Sequence, residues 1–201
     1  NELLELMVLE AQMLELKARY APAHIWFADE AVPPRALRAI ATRLAERGAP
    51  LDWSAYVRFD PGLTRELLAL VQGGGCRTLF FGLESASPRV MQAMCKGIEL
   101  DTVRRILRDS AEVGLWNHLF AFFGFPGESL ADAQRTVDFL YEQRWYVHSV
   151  GLGVFALERY APVLAEPDRY GLAKAAREAG QDLTLVYNYR VSAGMDADTA
   201  E

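Results

Sequence analysis

Apolar positions along this chain fall into two patterns that take turns. Short runs at His24–Phe27, Trp53–Phe59, Leu79–Phe81, Leu119–Phe123 and Val147–Ala156 are apolar or aromatic over a few residues and end in polar or glycine-rich tips. Between them apolar residues recur at helical spacing, as in Leu37, Ile40, Ala41 and Leu44, or Val103, Ile106 and Leu107, or Ala133, Val137, Leu140 and Tyr141. The runs read as strands, and Leu79–Phe81 as one covered on both faces; the spaced residues read as amphipathic helices. The first stretch, Asn1 to about Arg19, is also helical in pattern, and its early part LLELMVL is apolar almost all round, as in a helix covered on more than one side.

Punctuation supports these boundaries. Pro33-Pro34 opens one helix, Gly48 closes it, and Gly73-Gly74-Gly75 ends the next. Asp60-Pro61 reads as an N-cap and first-turn pair, as does Ser87-Pro88. Ser129 with Asp132 resembles a capping box with Asp in place of the usual Glu.

Strands beginning near His24, Trp53, Thr78, Leu119 and Ser149 thus alternate with helices at intervals of roughly thirty residues, the size of a βα unit. The expected fold is α/β: a parallel sheet in sequence order with helices outside, an open or partial (β/α) barrel. Beyond Leu157 the character changes. Pro162, Pro167 and Gly171 interrupt it, a short helix is expected over Leu172–Ala179, and Leu183–Tyr189 reads as an edge or antiparallel strand. The expected division is residues 1–156 as the barrel and 157–201 as an extension packed on it.

Composition narrows the picture. A net charge of −6 disfavours general nucleic-acid binding through phosphate neutralisation. No apolar run reaches membrane-spanning length, so no membrane partner is expected. With two cysteines, Cys76 and Cys95, far apart, a disulfide framework is not expected and a reducing cytoplasm is the simplest compartment. The chain opens in what reads as the middle of a helix, so a fragment is expected.

Right-handed crossovers put the carboxyl ends of parallel strands on one rim, where such folds bind ligands. Asp29, Glu30, Arg58, Glu84, Ser85 and Glu128 all follow or end strand-like runs. The aromatic residues within the strands read as core, and His118 as a polar strand residue.

FGLES at Phe81–Ser85, MCKG at Met94–Gly97 and FGFPGES at Phe123–Ser129, with WFADEAV at Trp26–Val32 and VRFDP at Val57–Pro61, together resemble the radical S-adenosylmethionine (radical SAM) superfamily, nearest the branch associated with cobalamin. The resemblance covers about residues 20–156. It implies strands two to six of a six-stranded partial (β/α) barrel. The family's CxxxCxxC loop, which holds a 4Fe-4S iron–sulfur cluster, has no counterpart here, so the cluster ligands would lie outside this chain and no metal ligand is assigned within it. The resemblance implies SAM as cofactor and leaves cobalamin open. Glu84 matches a position that accepts from the SAM amine or ribose, with Ser85 adding a hydroxyl. Asp29 and Glu30 lie where the methionyl amine is held, Lys96 can pair with the carboxylate, and Arg58 can face the cavity. Gly124, Pro126 and Gly127 would present backbone to adenine. Phe120 stands where the first glycine of the family's GxIxGxxE pattern would fall.

The implied function is the SAM-binding portion of an enzyme that reductively cleaves SAM to a 5′-deoxyadenosyl radical for hydrogen abstraction, with an electron donor and a small-molecule or peptide substrate as partners. This chain by itself would be inactive. The alternatives are a non-catalytic degenerate barrel that binds a partner or peptide, and an ordinary (β/α) barrel enzyme using Glu84, Asp29 and Arg58 for acid–base chemistry.

Overall fold

A computed structural model describes residues 2–29, 31–48, 51–176, 185–195 and 197–200. In order the elements are α1 (Glu2–Tyr20), β1 (Ile25–Trp26), α2 (Pro34–Glu46), β2 (Trp53–Val57), α3 (Arg65–Gly73), β3 (Cys76–Glu84), α4 (Pro88–Ala93), α5 (Leu100–Glu112), β4 (Trp116–Phe123), α6 (Leu130–Glu142), β5 (Ser149–Val154), β6 (Leu157–Glu158), α7 (Pro162–Ala165), β7 (Leu172–Ala176), β8 (Val186–Val191) and α8 (Ala197–Ala200). Strands β1 to β5 form one sheet in sequence order, parallel as expected, with helices in the connections: the partial (β/α) barrel class.

The chain divides into two compact units. One comprises Asn1–Gly82, Ile98–Leu119 and Gln143–Val150; the other comprises Leu83–Gly97, Phe120–Glu142 and Gly151–Glu201. In the first, Leu37, Ile40, Ala41 and Leu44 of α2, Leu67, Leu68 and Val71 of α3, and Val103, Ile106 and Leu107 of α5 are buried, together with Trp53, Ala55, Leu79, Phe81 and Leu119 from the strands. Gly74 and Gly75 explain the glycine run after α3. A Cβ on Gly74 would lie 2.6 Å from the Cα of Ala41, and one on Gly75 would lie 2.3 Å from the Leu51 carbonyl oxygen. In the second unit, Val90, Phe125, Leu157, Val163 and Leu172 form the core, with Phe155, Tyr187 and Tyr189 packed against it.

Several boundaries differ from the sequence reading. The cap of α3 is not Asp60-Pro61 but Thr64, whose hydroxyl accepts from the Leu67 N–H at 3.3 Å, while the Asp60 carboxylate turns back to accept from the Gly62 N–H. β3 is not covered on both faces. Its burial alternates, with Cys76, Leu79, Phe81 and Leu83 buried and Phe80, Gly82 and Glu84 half-buried. The expected helix over Leu172–Ala179 is strand β7 as far as Ala176, paired antiparallel to β8; residues 177–179 lie outside the described residues. Pairing outweighs the helix propensity of an alanine-rich run. β8 is antiparallel as expected but lies in the middle of the order β6-β8-β7, not at an edge; Leu183 and Thr184 lie outside the described residues.

Candidate functional site

Among the described residues, Asp29 and Arg58 follow β1 and β2, Glu84 ends β3 with Ser85 next to it, Lys96 follows α4, and Gly124, Pro126 and Gly127 follow β4. β3 delivers Glu84 as its last residue, with φ +67°. A side chain with a Cβ adopts this left-handed conformation at a cost, and the turn that follows sustains it. The Lys96 Nζ donates to Glu84 Oε1 at 3.0 Å, and both side chains remain partly exposed. The sequence reading gave these two residues separate ligand groups; the structure joins them to each other. A carboxylate and an ammonium at this spacing offer both signs of charge to a zwitterion.

Ser85 is 0% exposed. Its hydroxyl lies 3.2 Å from that of Thr136 and accepts from the Ser87 N–H, so it holds the turn from behind. Ser87 occupies the N-cap position of α4 but makes no cap bond; its hydroxyl donates instead to Asp132 at 2.6 Å.

After β4, Gly124 and Gly127 adopt φ +80° and +82°, a conformation that favours glycine. Between them Phe125 is buried and Pro126 carries no N–H. This turn therefore offers backbone more than side chains. Glu128, 1% exposed, closes it: one carboxylate oxygen accepts from the Gly124 N–H at 2.7 Å. Its other oxygen has no hydrogen-bond partner among the described residues. Burial raises the Glu128 pKa above the ordinary carboxylate value, against the backbone N–H groups of Gly124 and Phe125, which lower it.

The capping box expected at α6 is present. The Ser129 N–H donates to Asp132 at 3.1 Å, and the Asp132 N–H donates back to the Ser129 hydroxyl at 3.3 Å. Sequence reading missed what else meets Asp132. It also accepts from Arg89 and from Arg135, the latter at 2.9 Å. Burial pushes the Asp132 pKa up, but the bonds from Arg89, Ser129 and Ser87 outweigh it and hold the carboxyl well below its usual range. Ser87 and Arg89 lie 45 and 43 residues from Asp132, beyond the reach of a local pattern.

In the first unit, Asp29 and Arg58 line one pocket of about 410 Å³ with Val32, Pro33, Pro34 and Asp60. Glu30 lies outside the described residues. The strand aromatics, expected as core, divide between the faces. Trp53 and Phe81 are buried, whereas Trp26 is 56% exposed and joins Tyr56, Phe80 and His118 in a run of ring contacts at 5.1–5.6 Å between centroids. His118 Nδ1 lies 2.7 Å from the Ser149 hydroxyl, and burial lowers its pKa.

The residues present do not fit an iron–sulfur cluster. Such a cluster takes several thiolates at one place. Cys76 is buried, where desolvation pushes its thiol up, and Cys95 is exposed in a left-handed turn after α4. Among the described residues no group of three or more His, Cys, Asp or Glu can hold a metal ion. The Glu84–Lys96 pair fits a ligand such as SAM, which carries both signs of charge, and the Gly124–Gly127 turn brings no polar side chain of its own. No helix of the described residues is long and apolar enough to cross a membrane.

Comparison with known proteins bears on the fold and the family. The chain is 30% identical over 128 residues to an uncharacterized methyltransferase of Pyrococcus horikoshii, and spans 62% of itself but 27% of that protein. Among solved structures it resembles the radical S-adenosylmethionine methyltransferase TsrM of Kitasatospora setae, solved with cobalamin and a 4Fe-4S cluster bound (TM-score 0.71, 20% identity, 87% of this chain and 37% of that one). It also resembles the cobalamin-dependent S-adenosylmethionine radical enzyme OxsB (TM-score 0.72, 16% identity, 98% and 35%). A third likeness is to coproporphyrinogen III oxidase of Escherichia coli, a radical SAM enzyme (TM-score 0.58, 13% identity, 81% and 39%). The chain thus spans little more than a third of these structures and about a quarter of the curated relative. With the model of the Radical SAM superfamily matching residues 3–140, the chain belongs to that superfamily.

Proposed function

We propose that this chain is the SAM-binding portion of a radical SAM enzyme. The observation that carries the reading is the Glu84–Lys96 pair at the end of β3, within the span matched by the family. With SAM bound here and an iron–sulfur cluster held by residues outside this chain, the cofactors would supply a 5′-deoxyadenosyl radical for hydrogen abstraction, and this chain's share would be position and shielding. Here Glu84 accepts from the SAM ribose or amine, and Lys96 turns from Glu84 to the SAM carboxylate. Gly124, Pro126 and Gly127 present backbone to the adenine. Asp29 and Glu30 are assigned to the methionyl amine, and Arg58 to the cavity that it lines with Asp29. Ser85 acts through the turn it holds.

The cluster's thiolates come from outside these residues, as do the electron donor and the substrate. Cobalamin is a further cofactor, supported by TsrM and OxsB, both solved with it bound. Methyl transfer is the outcome favoured by the two relatives named as methyltransferases. The cytoplasm remains the proposed compartment.

The test is calorimetric titration of SAM into the holoenzyme that carries this chain. Glu84→Ala removes a charge-assisted hydrogen bond and is expected to weaken SAM by about 1.5–3 kcal/mol, roughly ten- to more than a hundredfold. Ser85→Ala should cost less. Glu46→Ala, on the exposed side of α2, should leave affinity unchanged. Equal SAM affinity for Glu84→Ala and Glu46→Ala would remove Glu84 from the site.

A further inference from the structure

We propose that Arg89 and Asp132 form a clasp that positions the Gly124–Gly127 turn and the Ser85–Ser87 turn, and so sets the backbone edge offered to the nucleoside half of SAM without touching it. The proposal rests on the SAM-binding reading above.

Asp132 is 2% exposed and accepts from five donors: the Ser87 hydroxyl at 2.6 Å, the Ser129 N–H at 3.1 Å, the Ser129 hydroxyl at 2.5 Å, Arg135 at 2.9 Å, and Arg89. A capping role needs only Ser129. A carboxylate offers about four lone-pair sites, so the oxygens are saturated by donors from two separate turns and two helices. The nitrogen of Arg89 that meets Asp132 also donates to the Gly127 carbonyl at 2.7 Å. That carbonyl belongs to the residue that ends the proposed adenine-facing turn. The Arg89 side chain is 57% exposed, so burial does not hold it there; the two acceptors do.

One helical turn further along α6, Thr136 repeats the connection. Its hydroxyl accepts from the Ala86 N–H at 3.0 Å and lies 3.2 Å from that of Ser85. Residues four apart share a helix face, so α6 grips the Ser85–Ser87 turn with two successive rungs. Glu84, in its left-handed conformation, immediately precedes that turn. The clasp thereby fixes the placement of the Gly127 carbonyl relative to the Ser85–Ser87 turn. Arg89 and Asp132 are positioning residues.

The experiment compares the holoenzyme with Arg89→Ala, Asp132→Asn and, as control, Arg135→Ala, which loses a donor from α6 itself but no connection between turns. Hydrogen exchange is followed at the amides of Ala86, Ser87, Glu128 and Ser129, and affinities are measured for 5′-deoxyadenosine and for methionine. Small displacements of a positioned group carry large effects, so Arg89→Ala is expected to weaken 5′-deoxyadenosine by about tenfold. Methionine affinity should stay within about twofold and exchange should quicken at both turns. Asp132→Asn should show the same split, and Arg135→Ala none of it. Unchanged nucleoside affinity in Arg89→Ala, or equal loss of both ligands, would overturn the proposal while leaving the SAM reading intact. A wild-type holoenzyme that binds neither SAM nor 5′-deoxyadenosine would overturn the SAM reading and the proposal with it.

Discussion

Glu128 and Asp132 lie four residues apart, both buried, and shift in opposite directions: burial dominates at Glu128, whereas at Asp132 the bonds from Arg89, Ser129 and Ser87 outweigh it. For Asp132 the folded pKa lies below the ordinary 3.8, so its stabilisation is present above that pH and is lost as pH falls through the folded value. Asp132→Asn should therefore destabilise by about 1.5–3 kcal/mol at neutral pH, with the deficit shrinking in acid, as followed by denaturant titration across pH. For Glu128 the folded pKa lies above 4.5, so the folded state holds the proton more tightly and stability falls as pH rises from there through the folded value. Glu128→Gln should remove that decline, and its thermal midpoint should vary less than wild type above pH 4.5. The sequence placed Asp132 at the start of a helix and Glu128 after a strand-like run. The spacing of Ser129 and Asp132 was legible because a capping box is local. Arg89, 43 residues away from Asp132, was not, since nothing in a sequence marks which distant cation a carboxylate will meet.

At the scale of elements, the alternation of β3 separates two adjacent phenylalanines. Phe81 stacks on Phe59 at 4.6 Å between centroids and is fully buried, whereas Phe80 is half-buried on the other face. Phe81→Ala should cost about 3–5 kcal/mol in denaturant unfolding, and Phe80→Ala less than half of that. The run of apolar letters at Leu79–Phe81 marked a strand but concealed its two faces, because an aromatic residue satisfies a ligand-facing surface as readily as a core. The strand-and-helix alternation from β1 to β5 was legible throughout, since its periodicity repeats and its glycines and prolines fall at the joints. β7 was not. Its alanines carry no β signal, and only the partner β8 makes it a strand. The cap of α3 moved from Asp60 to Thr64 for a related reason: Asp60 has a nearer donor in Gly62. Thr64→Ala should cost about 1 kcal/mol, read as a lowered thermal midpoint.

For the whole molecule, the C-terminal strands tie into the candidate site. The Tyr189 hydroxyl donates to the Phe155 carbonyl at 3.0 Å and lies 3.3 Å from that of Gly124, and the Met195 N–H donates to the Glu128 carbonyl at 2.7 Å. Tyr189→Phe should cost about 1 kcal/mol and quicken hydrogen exchange at the Gly124 amide. The strand order also carries a consequence for biosynthesis. In β1 to β5 each strand after the first pairs with the one made just before it, so it finds a partner already translated. The second sheet breaks that rule, because β6 and β7 both pair with β8, which is made after them. On the ribosome, then, the parallel sheet can assemble as the chain emerges. The turn at Gly124–Glu128 gains its bonds from Tyr189 and Met195 only after β8 has been made, so the candidate site is completed later than the sheet whose strand end carries it.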